Sequence, residues 1–163
     1  MLRVFAGLKI AAVCAGLVFV AGCSSSNRPD VVPQEQAAIP GSEKDFLVNV
    51  GDRVYFQVDQ STLTPEGQDV LRRQAAWLAQ YPNVAIQVEG HADEQGTREY
   101  NIALSARRAT TTRNYLASLG VNPTRMSTIA YGKERPVAVC SNESCWSQNR
   151  RSVTVITGGA IAG

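Results

Sequence analysis

The sequence predicts an α+β domain: a mixed sheet in the order β-α-β-α-β-β, with its helices packed on one face. Two alternating apolar runs are each followed by a long stretch of helical periodicity. Each of those stretches ends on turn residues, Tyr81-Pro82-Asn83 and Gly120. The last two extended runs, Met126 to Tyr131 and Arg151 to Thr157, are joined by a long loop over 132–147 instead of a third long helix. Early strand–helix alternation calls for crossover connections, which lay the helices on one side of a mixed sheet.

In chain order, residues 1–22 have the form of an export signal. Arg3 and Lys9 form a basic start, an apolar stretch runs through Val20, and the segment closes Val20-Ala21-Gly22-Cys23. That ending resembles a bacterial lipobox, which would make Cys23 the carrier of S-diacylglycerol and N-acyl lipid. Ser24 is not the aspartate that often retains lipoproteins in the inner membrane, so the expected site is the outer membrane, on its periplasmic face. Residues 23–46 hold serines, Pro29, Pro33, Pro40 and Gly41 with little periodicity, and read as the lipidated N-terminus and a flexible tether. About 22 such residues have a root-mean-square span of roughly 25 Å.

The folded domain is expected over 47–158. Val48 to Asp59 reads as its first strand, with Val54, Phe56 and Val58 on one face and Tyr55, Gln57 and Asp59 on the other. Thr64-Pro65 opens a helix as cap and first-turn proline. Its apolar side carries Leu71, Ala75 and Leu78, with Val70 and Trp77 beside them. Val84 to Gly90 is the second strand. Thr97 caps a second helix that closes at Gly120, in the C′ position. Asn122-Pro123 starts one short turn, and the strand from Met126 follows. Val153 and Val155 share one face of the last strand, and residues 159–163 read as a loose tail.

The second helix carries an anomaly. At about 100° per residue, Asn101, Leu104, Ser105 and Arg108 share a stripe with Thr112, Tyr115, Leu116 and Leu119. Arg107 points away into solvent, so Arg108 lies on the inward face, where an uncompensated charge is costly. The nearest acids are Asp93 and Glu94 in the preceding loop. Such a pairing is either a structural ion pair or half of a receptor for a zwitterion.

Several chemistries are excluded. The full chain has 16 basic and 14 acidic residues, and Arg3 and Lys9 leave with the signal, so the mature chain is formally neutral. It has no electrostatic footprint for nucleic acid. His91 is the only histidine. With Cys14 in the signal and Cys23 lipidated, only Cys140 and Cys145 remain, too few ligands for a metal centre. In an oxidising compartment that pair should form a disulfide that rigidifies the loop before Trp146. No Gly-x-Ser-x-Gly elbow accompanies His91 and Asp93, which argues against a hydrolase. Adjacent Asp93 and Glu94 point apart, unlike a glycosidase pair. His91 is expected to shape its loop through hydrogen bonds.

Gly90-His91-Ala92-Asp93, Asn101-x-x-Leu104-Ser105-x-x-Arg108-Ala109, Tyr131-Gly132, Pro136 and Asn149-Arg150-Arg151 together resemble the OmpA-like peptidoglycan-binding domain, over about residues 48–157. The lipobox, the tether and the run Asp93 to Thr97 make it most similar to the lipid-anchored Tol–Pal branch, and the cysteine-bounded loop with Trp146 resembles its alphaproteobacterial form. The resemblance implies a non-catalytic wall tether with no cofactor beyond the lipid on Cys23. It implies peptidoglycan as ligand, through the free end of meso-diaminopimelate, and the proteins TolB and TolA as partners. Asp93 would take the ammonium and Arg108 the carboxylate. Asp59 and Val58 would close the pocket near Asn101 and Leu104. The family often has an aromatic residue where Val58 stands. Either Arg150 or Arg151, on opposite sides of a strand, could face the pocket. The alternatives are a peptidoglycan-processing enzyme and a wall anchor of the flagellar-stator type.

Overall fold

The computed structural model describes residues 37–162. The expected signal, the lipid acceptor Cys23 and most of the tether lie outside them. Four strands form one sheet in the order β1-β4-β2-β3. They are β1 (Arg53–Tyr55), β2 (Ala85–Gly90), β3 (Met126–Ala130) and β4 (Arg151–Gly158). β4 runs antiparallel to both β1 and β2, while β2 and β3 are parallel. The parallel pair follows from the long helix between them, since a crossover connection returns the chain in the same direction. The helices are α1 (Glu43–Asp45), α2 (Pro65–Gln80), α3 (Arg98–Ser118) and α4 (Glu143–Asn149).

The two long helices start as their sequences dictate. Thr64 accepts a hydrogen bond from the Gly67 amide at 3.1 Å, and Thr97 accepts one from the Tyr100 amide at 3.2 Å. Gly120 has φ +96°, a left-handed conformation that an L side chain resists, and the chain leaves α3 there. Leu71, Ala75, Trp77 and Leu78 of α2 are buried with Ala109 and Leu116 of α3 against Val54, Ile86, Val88 and Met126 of the sheet.

Four expectations are corrected. First, the chain is already folded within the stretch read as tether. Ser42 caps α1, which continues as a wider turn over Phe46–Val50, and Phe46 is buried against Trp77 with ring centroids 5.0 Å apart. Asp45 gathers the Trp77 indole N–H, the Asn49 amide and the Gly41 backbone N–H, which hold its carboxyl below the usual range. A serine- and proline-rich stretch with one aromatic offers no periodicity from which to read this.

Second, the strand expected over Val48–Asp59 is only Arg53–Tyr55. Gly51 at φ +90° turns the chain into it, and beyond Phe56 the backbone folds back, with the Gln60 amide on the Gln57 carbonyl at 3.2 Å. Val58 therefore leaves the face of Val54 and Phe56 and is half exposed to solvent at 51%. Third, the loop over 132–147 contains the start of α4, capped by Asn142. Fourth, the tail docks: the Ile161 amide donates to the Gly41 carbonyl at 3.0 Å, pairing the two ends of the described chain.

Val153 and Val155 share a face, as expected, but it is the face away from the helices. The buried side of β4 carries hydroxyls instead. Ser152 donates to the Glu89 carbonyl at 2.9 Å, and Thr154 donates to the Gln74 amide oxygen at 2.8 Å. Each hydroxyl is satisfied, so its burial carries no desolvation penalty beyond the exchange.

Candidate functional site

α3 approaches β2 so closely that a Cβ on Gly90 would lie 1.9 Å from the Ser105 carbonyl oxygen. Only glycine permits this contact. It sets the N-terminal half of α3, with its polar stripe, directly over the end of β2. Asn101, Leu104, Ser105 and Arg108 are all buried, as the helical phase requires, while Arg107 is exposed.

A cavity of about 230 Å³ opens at this end of the sheet. One wall is the loop after β1, with Val58 and Asp59. The second is the loop after β2, with Asp93, Gln95 and Gly96. The third is the first two turns of α3, with Tyr100, Asn101 and Leu104. Five of the residues expected from the sequence, Val58, Asp59, Asp93, Asn101 and Leu104, thus meet around one space. Gln95, Gly96 and Tyr100 were not foreseen; Tyr100 donates to Asp59 across the opening. Asp59 itself sits at φ +56°, the one non-glycine residue with positive φ among those described.

Arg108 is wholly buried. Its Nε donates to the Gln60 carbonyl at 2.8 Å, Nη1 to the His91 carbonyl at 2.9 Å and Nη2 to the Gln57 carbonyl at 3.2 Å. It therefore binds the loop after β1 to the loop after β2, and it lies over the Phe56 ring at 5.2 Å. Three of the five guanidinium donors are used, leaving one on each terminal nitrogen. Burial lowers its pKa to about 10, opposed by the charge of Asp93, so it remains protonated at neutral pH.

The ion pair offered as one reading of Asp93 and Arg108 is not formed. Asp93 pairs with Arg150 instead, Nη1 to Oδ2 at 3.1 Å, with both residues buried. Its Oδ1 accepts the Gln95 amide at 3.1 Å. Arg150 also bonds Glu143, which keeps that carboxyl below its usual range. Arg151 points to the opposite side and donates to the Arg135 carbonyl. Neither arginine lines the candidate pocket; Arg150 reaches it only through Asp93 and lines the hollow beside α4. Asn101 donates to the Gln95 carbonyl at 2.7 Å, but its buried Oδ1 has no partner. An unpaired buried acceptor is unfavourable unless a ligand donor completes it.

His91 shapes its loop from the outer face of the sheet. Its carbonyl accepts from Arg108, and its Nε2 lies 3.3 Å from a Glu89 carboxylate that can only accept, so Nε2 carries the hydrogen. Burial lowers its pKa to about 4, helped by Arg151, Arg135 and Arg53. The unfolded chain, with an ordinary histidine pKa of about 6.5, then binds more protons than the folded one between those values. Stability should fall as pH drops from about 6.5 towards 4, and His91→Gln should remove this part of the dependence in thermal melts.

Two larger hollows do not combine these features. One of about 620 Å³ lies between α1 and the segment after β4, with Leu47, Val48, Ile156 and Ile161 among its lining residues. The other, about 520 Å³, lies beside α4, and its buried charge, Arg150, is already engaged by Glu143 and Asp93. The 230 Å³ cavity offers two carboxylates and an unpartnered amide oxygen; Arg108 does not line it but lies wholly buried, tied to the two loops that form its walls. That set suits a small group bearing both an ammonium and a carboxylate.

The OmpA family profile matches residues 55–150. A peptidoglycan-associated lipoprotein of Agrobacterium fabrum is 55% identical over 148 residues, spanning 87% of this chain and 84% of that protein. The crystal structure of the peptidoglycan-associated lipoprotein from Burkholderia pseudomallei superposes with a TM-score of 0.64 at 39% identity, covering 65% of this chain and 90% of that one. The C-terminal domain of Helicobacter pylori MotB, at 24% identity and a TM-score of 0.62, covers 66% of this chain and 84% of that one, and shares the fold.

Proposed function

The chain belongs to the OmpA family, and we propose that it uses the cavity at the end of β2 to hold the zwitterionic end of meso-diaminopimelate in peptidoglycan. It is a peptidoglycan-binding lipoprotein of the outer membrane and not an enzyme, by its kinship with the peptidoglycan-associated lipoproteins. The observation that carries the pocket assignment is the set Asp59, Asp93 and the unpartnered Asn101 Oδ1, with the buried Arg108 joining the two loops that hold them.

The ammonium binds against Asp93, with Asn101 Oδ1 as a second acceptor and Asp59 closing the pocket. The carboxylate accepts from the two remaining Arg108 donors. Arg108 is held rigid by three carbonyls, so little motion is lost when the ligand arrives. No bond is made or broken, and the function is retention. Leu104 and Val58 supply the apolar sides for the ligand's methylene chain.

At the other end of the chain Cys23 carries the lipid, and the segment up to about residue 40 spans the distance between membrane and wall. Labelling with radioactive palmitate should mark the chain, and Cys23→Ala should abolish the label. TolB and TolA are the protein partners in this reading, which rests on the resemblance to the Tol–Pal branch. Incubation with sacculi tests the binding function. The chain should sediment with them and release no soluble muropeptides; released fragments would support the wall-processing alternative.

A further inference from the structure

We propose that Glu143, Trp146 and Arg150 are positioning residues for the wall-binding pocket, and that the Cys140–Cys145 disulfide holds the helix that presents them. The inference rests on the wall-binding reading above.

Residues 143, 146 and 150 are spaced three and four apart, so they project from one side of α4 and its C-cap. Two of them contact the loop after β2, and the third reaches it through Arg150. Arg150 donates to Asp93 at 3.1 Å, and Trp146 donates through its indole N–H to Glu94 at 3.0 Å. Glu143 bonds Arg150 from the other side and fixes its guanidinium. Lys133, in the segment leading to α4, donates to the carbonyls of Glu94 and Gly96 at 3.3 and 2.8 Å. The pocket wall that carries Asp93, Gln95 and Gly96 is thus gripped from behind.

α4 is too short to be stable alone, because isolated helices below about 12 residues are marginal in water. Two devices hold it. Asn149 accepts from the Val137 amide at 2.8 Å and donates to the Ala138 carbonyl at 2.8 Å, closing the loop at its base. The disulfide joins Cys140, ahead of the cap, to Cys145 in the helix, with Cα atoms 5.6 Å apart. It thereby fixes the first turn, where Glu143 sits, and the position of Trp146 immediately after it. Without the link, the capped end of α4 can fray, and the two contacts to Asp93 and Glu94 lose their fixed origin.

The test uses the full chain and sacculi containing diaminopimelate. Cys140→Ser/Cys145→Ser should bind about five- to tenfold more weakly while keeping its far-ultraviolet circular dichroism. Trp146→Phe, with the disulfide intact, should also bind more weakly. Combining it with the cysteine changes should cost less than the product of the two losses, because both free the same loop. Preference for diaminopimelate sacculi over lysine sacculi should fall in these variants. It should persist in Val121→Ala, which is destabilised at a buried position at the far end of α3. Unchanged affinity in the cysteine variant, or losses that multiply independently, would overturn the proposal. If the cysteine variant fails to fold, unchanged affinity in Trp146→Phe overturns it. An unmodified chain that does not bind sacculi overturns the wall-binding reading, and this inference with it.

Discussion

Arg108→Ala is expected to remove all measurable wall binding and to destabilise the domain by about 3–4 kcal/mol, lowering its melting temperature by roughly 10–15 °C. The two effects have one origin. The guanidinium satisfies three backbone carbonyls, from Gln57, Gln60 and His91, that belong to opposite walls of the cavity. Truncation leaves those acceptors without their donor and frees the loop after β1, including Asp59 in its left-handed conformation. It also removes the donors assigned to the ligand carboxylate. Arg108→Lys should rescue little, because a compact ammonium cannot reproduce the planar fork across three separated carbonyls. Arg107→Ala, one residue away and exposed, should change neither stability nor binding. Thermal melts and sacculus sedimentation on the same preparations check both halves. Equal losses from the two arginines would contradict the assignment.

Asp93→Asn is expected to separate binding from folding more cleanly. The amide keeps the size of the carboxylate and an acceptor for the Gln95 N–H. Arg150 retains Glu143, so the cost to stability should be about 1.5–3 kcal/mol, as for one hydrogen bond to a charged group. Binding should fall at least about 30-fold, because the ligand ammonium loses its buried counter-charge. Titration with a soluble stem peptide ending in diaminopimelate reads the affinity, and a melt reads the fold. A lower melting temperature with full affinity would make Asp93 a purely structural partner of Arg150.

Helical phase was enough to place Arg108 inside and Arg107 outside, because a 21-residue helix repeats its period many times. What Arg108 touches was not legible. Its acceptors are backbone carbonyls 17, 48 and 51 residues away, and a carbonyl leaves no mark on the sequence. The same limit hid Arg150. Strand alternation separated it from Arg151, but its link to Asp93 spans 57 residues and depends on where α4 ends. α4 itself is seven residues rich in serine and other weak helix formers, held by a disulfide and side-chain caps. Phe46 was lost to the tether for a similar reason: one aromatic in an irregular stretch has no period, and only Trp77, 31 positions later, gives it a place. Tyr100 was passed over because its helix position faces solvent, where the rim of the pocket happens to be.

In the proposed function this cavity recognises an ammonium and a carboxylate on one carbon. The most direct measurement compares sedimentation of the full chain with sacculi containing meso-diaminopimelate and with sacculi containing lysine at the same position. Lysine keeps the ammonium but lacks the second carboxylate, so Arg108 has no partner in the ligand. Retention should be strong on the first and slight on the second. Equal retention on both would contradict that recognition.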